Sequence, residues 1–238
     1  MRTTLPFLAA SFLLSLGACR STGETSPLLT VTPVENVDMH ERNVMLAARA
    51  AQANDAQLVF FGDSITQGWE SEPALWSAEF ERYRPLNLGV SGDRTEHVLW
   101  RLATGAYDHL RPKLIVIMIG TNNTGHRMDQ PADIAAGIDA ILCQLHARFP
   151  QAKLALLPIF PRGETLADPM RVNNAAVNAR LPAIAAAHGA ELLDLASAFT
   201  DDQGVLPTSV MPDLLHLSPD GYSRWATALR EPLARWMR

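Results

Sequence analysis

The sequence predicts a three-layer α/β sandwich, with a doubly wound, five-stranded parallel sheet and helices on both faces. Three observations lead there. Five short apolar runs alternate with helix-length patterns, which is the signature of repeated strand–helix units joined by right-handed crossovers. One run, Leu114-Ile115-Val116-Ile117-Met118-Ile119, is apolar at every position, as a central parallel strand covered on both faces must be. No internal repeat and no composition shift follow Val37, so residues 38–238 read as one domain.

The chain before that domain reads differently. Arg2 precedes a mostly apolar stretch, Leu5 to Ala18, too short for a stable bilayer anchor and suited to a signal peptide over residues 1–18. It ends Leu16-Gly17-Ala18-Cys19, which resembles the lipobox of bacterial lipoproteins. That resemblance implies lipidation of Cys19 as the new N-terminus. With Arg20 next, it implies a lipid-anchored protein of the bacterial cell envelope, on the outer membrane facing the periplasm. A plain signal peptide cleaved near Ala18 is the alternative. Residues 19–37, rich in Ser, Thr and Pro over Ser21 to Val37, read as a flexible tether.

Within the domain, the strands are expected at Leu58–Phe61, Leu86–Val90, Leu114–Ile119, Leu154–Pro158 and Glu191–Leu195. Helices are expected at Met39–Ala53, Pro73–Arg82, Thr95–Ala103, Pro131–Phe149 and Pro169–His188, the last kinked or broken at Pro182. Ser218-Pro219-Asp220 opens a final helix to about Met237, with Ser218 as N-cap and Pro219 in the first turn. The loop Phe160–Asp168 is long enough to hang over a site.

Composition narrows the function. The chain has 238 residues, 47% hydrophobic and 19% charged, enough to bury a full core. Its 20 Lys and Arg are scattered and its net charge is −5, which gives no case for a nucleic-acid partner. With Cys19 reserved for lipid, Cys143 has no mate and no disulfide framework exists. Beside the stripe Ile134, Ile138, Ile141, Leu142, Leu145, it reads as semi-buried helix packing. No histidine spacing of the HxxxH type and no GxxxxGK loop appear, so neither a metal nor a cofactor is called for.

In such sheets ligands bind beyond the carboxyl ends of the strands. The first run is followed by Gly62-Asp63-Ser64, the second contains and continues into Gly89-Val90-Ser91-Gly92-Asp93, and the third leads into Gly120-Thr121-Asn122-Asn123. Asp213-Leu214-Leu215-His216 precedes the last helix. Each piece alone fits a turn, a helix cap or a surface histidine. Together they supply what acyl transfer needs: a nucleophile, a base, an orienter for the base and donors for an oxyanion.

These four blocks, Gly62-Asp63-Ser64, Gly92, Gly120-Thr121-Asn122 and Asp213-Leu214-Leu215-His216, resemble those of the SGNH, or GDSL-type, hydrolases. His97-Val98-Leu99-Trp100-Arg101-Leu102, Pro161-Arg162-Gly163-Glu164 and Leu215-His216-Leu217 are more specifically similar to the catalytic alpha subunits of type I platelet-activating factor acetylhydrolase. The resemblance covers roughly residues 38 to 235 and implies a flavodoxin-like fold. It implies Ser64 as nucleophile, His216 as base and Asp213 as orienter. The oxyanion hole would be the N–H groups of Ser64 and Gly92 and the side-chain amide of Asn122. Asp63 would fix the loop. Ile65, Thr121 and Leu215 would wall a small acyl pocket.

The resemblance therefore implies a serine esterase for short acyl, above all acetyl, esters, without cofactor. The envelope location points the substrate toward O-acetyl groups on glycans or envelope molecules. A lysophospholipase or thioesterase for longer acyl chains is the second enzyme reading. A non-catalytic glycan-binding lipoprotein is the reading from another class. Members of the family include dimers, which leaves a homodimer open.

Overall fold

The computed structural model describes residues 28–238. The signal segment, Cys19 and the first part of the tether lie outside the described residues. Five parallel strands form one sheet in the order β2-β1-β3-β4-β5: β1 (Leu58–Gly62), β2 (Pro85–Gly89), β3 (Leu114–Met118), β4 (Lys153–Leu156) and β5 (Glu191–Leu192). Gly62 at the end of β1 lies level with Gly89 of β2 and Met118 of β3. Three strands therefore stop in line, and the segments that follow them meet at one edge.

Side chains alternate across the sheet, as strand geometry requires. Val59 and Phe61 of β1 and Ile115 and Ile117 of β3 face a core built with α1 (His40–Gln52), α4 (Thr95–Ala103), α6 (Pro131–Arg148), α7 (Pro169–Asn178) and α8 (Leu181–Ala187). Leu58, Phe60, Leu114 and Val116 face the other core, where α3 (Pro73–Phe80) and α9 (Pro219–Trp236) pack. That second core is aromatic. The ring of Trp69 sits 4.7 Å from that of Tyr222 and 5.1 Å from those of Trp225 and Phe80, centroid to centroid. Such pairs add about 0.5–1.5 kcal/mol each beyond their burial.

The break expected at Pro182 is present: the segment 169–188 is two helices, because Pro182 lacks the N–H that would continue α7 yet suits the first turn of α8. Other details differ from the sequence expectation. Two short helices start at strand ends, α2 (Ser64–Gln67) and α5 (Thr121–Arg127). Cys143 is exposed, not semi-buried. One step past Ile141 and Leu142 the helix has turned it off the buried stripe.

The tether boundary also moves. Residues 28–37, expected to be flexible linker, pack on the domain. Thr30 is buried and its carbonyl accepts from Thr95 Oγ1 at 2.9 Å, and the Val34 N–H donates to the Glu96 carbonyl at 3.2 Å. Asn36 Nδ2 reaches further in, donating to Ser91 O at 3.2 Å and to Asp93 Oδ1 at 3.0 Å.

Beneath the aligned strand ends lies a buried ion pair. Arg101 of α4 is 1% exposed and Asp93 is 0% exposed. Arg101 Nε donates to Asp93 Oδ2 at 2.9 Å, Nη1 to Leu88 O at 2.8 Å and Nη2 to Gly62 O at 3.4 Å. Burial alone would lower the Arg101 pKa, but the Asp93 charge outweighs it and raises it. One guanidinium thus ties β1, β2 and the loop after β2 together. Truncating one partner of such a pair strands the other charge in a dry interior, at about 3–5 kcal/mol. Arg101→Ala is therefore expected to lose about that much unfolding free energy in a urea titration at pH 7. A loss below about 1 kcal/mol would mean that water or a local shift compensates Asp93.

Candidate active site

The nucleophile candidate sits where β1 becomes α2. Gly62 lets the chain turn there, since a β-carbon on it would lie 2.1 Å from Thr66 Oγ1 and 2.7 Å from the Met118 carbonyl. Asp63 caps the new helix, its Oδ1 accepting from the Ile65 N–H at 3.0 Å. On the far side, Tyr222 of α9 donates its hydroxyl hydrogen to Ile65 O at 2.8 Å. Strand, cap and distant helix together fix the Ser64 backbone, which is half-buried at the edge.

Ser64 Oγ lies 2.9 Å from His216 Nε2, and His216 Nδ1 lies 2.6 Å from Asp213 Oδ2. A carboxylate can only accept, so Nδ1 carries the ring proton and Nε2 is free to accept from Ser64. The loop makes this arrangement locally. Leu214 takes a left-handed conformation, φ +62°, and the turn folds the main chain back on Asp213. Asp213 Oδ1 then accepts from the N–H groups of Leu215 at 3.0 Å and His216 at 2.7 Å. Desolvation works to raise the Asp213 pKa, but the hydrogen bonds from the His216 ring and from these two N–H groups outweigh it and hold it below the usual value. Gly163 N–H, bonded to Leu214 O at 2.9 Å, clips the 160–168 loop onto the same turn.

The oxyanion candidates come from the two neighbouring strand ends. Gly92 has φ +73°, a conformation that costs glycine little and other residues more. Among the described residues, no acceptor is bonded to the N–H of Ser64 or Gly92. Asn122, the second residue of α5, donates one Nδ2 hydrogen to Asp93 O at 3.0 Å, which ties its amide to the residue after Gly92 and leaves the other hydrogen unused. Of the expected acyl-pocket walls, Ile65 and Thr121 are buried and Leu215 is half-buried against the aromatic core. A cleft of about 220 Å³ opens beside Ser64, lined by Gln67, Glu70, Ser71 and Ser91. A wider cleft of about 570 Å³ runs by Trp69, Trp76 and Pro85 at the β2 edge and holds neither Ser64 nor His216.

Sequence reasoning did not find Gln67, whose Oε1 accepts from the Ser91 N–H at 2.8 Å, nor the site-supporting contacts of Asn36, Arg101 and Tyr222. These act across long sequence separations, and no local pattern marks them.

Asp63 is 0% exposed, and its Oδ2 has no hydrogen-bond partner. Burial, with help from the Asp93 charge, pushes its pKa from 3.8 up to about 7. The protonated form is favoured in the fold, so the folded chain binds this proton between those two values while the unfolded chain releases it. Stability contributed by Asp63 is therefore full below pH 4 and lost as pH rises to about 7, by on the order of 4 kcal/mol. Asp63→Asn cannot ionise. Its stability relative to wild type should climb steadily from pH 4 to 7 in urea titrations and level off above. Parallel stability profiles for the two proteins would contradict the buried, neutral carboxyl.

Comparison with known proteins places the chain in a family. The model of the GDSL-like Lipase/Acylhydrolase family matches residues 60–224. The chain is 38% identical over 217 residues to the human platelet-activating factor acetylhydrolase IB subunit alpha1, covering 90% of this chain and 92% of the relative. It is 33% identical to the rat alpha2 subunit, covering 89% and 92%. Solved structures share the fold. A GDSL-like lipase from Bacteroides thetaiotaomicron superposes with a TM-score of 0.65 at 20% identity, over 84% of this chain and 97% of that one. Axe2, an acetylxylan esterase from Geobacillus stearothermophilus, gives 0.62 at 21% identity, over 74% and 93%. With its fold, its strand-end blocks and its relatives in agreement, the chain belongs to the GDSL-like lipase/acylhydrolase family and is an ester hydrolase.

Proposed function

We propose that the protein removes short acyl groups, above all acetyl, from hydroxyls of glycans or other envelope molecules through an acyl-enzyme intermediate. The observation that carries the reading is the chain Ser64 Oγ–His216–Asp213, with contacts of 2.9 and 2.6 Å. His216 takes the Ser64 proton as Oγ adds to the ester carbonyl. The N–H groups of Ser64 and Gly92 and the Asn122 amide receive the developing oxyanion, a donor each worth about 10²–10³ in rate. His216 then protonates the leaving alcohol, and the acyl-serine is hydrolysed by water along the same route in reverse. Asp213 keeps the imidazole in the required tautomer. The polar lining of the Ser64 cleft supports a short acyl group over the longer chains of a lysophospholipase or thioesterase.

The test is a series of p-nitrophenyl esters from acetate to decanoate. The expected result is highest kcat/KM for acetate with a steep fall beyond butyrate, and loss of at least ~10³ in kcat for Ser64→Ala with the fold intact. Rates that rise with chain length would favour the lipase-like reading, and a Ser64→Ala protein with more than a few per cent of the wild-type rate would remove Ser64 as nucleophile.

The envelope location is part of the same proposal and rests on Leu16-Gly17-Ala18-Cys19. Mass spectrometry of the mature protein from a lipoprotein-processing bacterium is expected to show an acylated N-terminal Cys19. An unmodified N-terminus elsewhere in residues 19–30 would refute the anchor.

A further inference from the structure

We propose that the docked N-terminal segment Glu35–Met39 and His126 form a subsite for a sugar ring that carries the ester, placed against the Gly92 loop. This rests on the esterase reading above and names its alcohol. A second cleft, of about 240 Å³, lies between that segment and the loop, lined by the polar residues Glu35, Asn36, Asp38, Ser91, Arg94 and His126 together with the apolar Val37 and Met39. It shares Ser91 with the cleft that holds Ser64, so the two clefts adjoin through one residue. A β-carbon placed on Gly92 would be 3.8 Å from Asn36 Nδ2 and 3.9 Å from His126 Cε1. Both side chains thus border the loop proposed to hold the oxyanion.

The orientation of His126 is determined by its neighbour. Arg94 Nη1 lies 3.1 Å from His126 Nδ1, and a guanidinium can only donate. Nδ1 is therefore the acceptor and Nε2 bears the hydrogen. Partial burial, with the charges of Arg94, Arg127 and Arg162, lowers the His126 pKa and keeps the ring neutral at pH 7. Arg94 is itself held by Glu96, Nε to Oε1 at 2.7 Å, so the imidazole stands on a braced support. Among the described residues, no acceptor is bonded to His126 Nε2, which leaves its N–H available at the exposed rim of the cleft.

The chemistry of the walls selects the ligand class. Carboxylates at Glu35 and Asp38, a hydroxyl at Ser91 and a neutral imidazole donor at His126 offer both acceptors and donors on several sides. Ring hydroxyls both donate and accept and would pair with such a set. An acyl or alkyl chain would return no hydrogen bond to these groups, whereas a sugar ring can meet them with its hydroxyls and lay its apolar face on Val37 and Met39.

The experiment compares acetylated xylooligosaccharide with p-nitrophenyl acetate, for wild type, His126→Ala and His126→Gln, with thermal unfolding as the folding control. Gln retains an acceptor for Arg94 and a donor for the cleft. His126→Ala should lower kcat/KM for the sugar ester at least tenfold more than for p-nitrophenyl acetate, chiefly through KM, and Gln should recover part of that difference. Equal losses on the two esters, or a wild-type enzyme that gains nothing from the sugar relative to p-nitrophenyl acetate, would overturn the subsite while leaving the esterase standing. A wild-type protein inactive on both would instead overturn the esterase reading itself.

Discussion

The buried pair between Asp93 and Arg101 is the constraint on which the rest of the edge depends. Its guanidinium holds the terminal carbonyls of two strands, Leu88 O and Gly62 O, and the strand ends are where Ser64 and the Gly92 loop begin. Its carboxylate receives Asn36, and its main-chain carbonyl receives Asn122. Two of the proposed oxyanion donors and the docking of the N-terminal segment thus converge on one residue. A pair so far from water is not obviously favourable for stability. What it supplies here is registration: three chain segments meet in one arrangement because each satisfies a group the others leave open.

The proposed triad is built on the opposite principle. Asp213, His216 and the intervening Leu214 lie in one turn, and their geometry is local. This is why Asp213 and His216, three positions apart, could be picked out as a candidate pair in the sequence, and why Ser64, at the end of an apolar run, could be placed on the same edge. The strands were legible for a similar reason, since apolar runs covered on both faces carry their own signature in Leu114–Ile119. Helix starts followed the cap Ser218 and the first-turn prolines Pro219 and Pro182.

What could not be read was everything decided by contacts between distant segments. Residues 28–37 look like linker by composition, and only the acceptors and donors on α4 and the Gly92 loop make them part of the domain. His126 lies in a short helix that begins at a strand end, and its tautomer follows from Arg94, thirty-two positions earlier. Cys143 was misplaced because one helical step separates a buried position from an exposed one. Asp63, read as a loop-fixing residue, does cap α2, but its burial adds a titration that the sequence did not announce.

Function enters through the difference between the two sides of the serine. The sheet and the aromatic core beneath it hold Ser64 in place, with Tyr222 bonded to the first turn of α2. The cleft beside Ser64 is lined by Gln67, Glu70, Ser71 and Ser91, and the chain's own N-terminal segment lines the next cleft along.

The central claim is that Ser64 is a nucleophile activated by His216, and covalent labelling tests it most directly. Treatment with a fluorophosphonate followed by peptide mass spectrometry is predicted to place one adduct on the peptide containing Ser64, and the adduct should be absent from a folded His216→Ala variant on the same timescale. Labelling at another residue, or equal labelling rates with and without His216, would contradict the account.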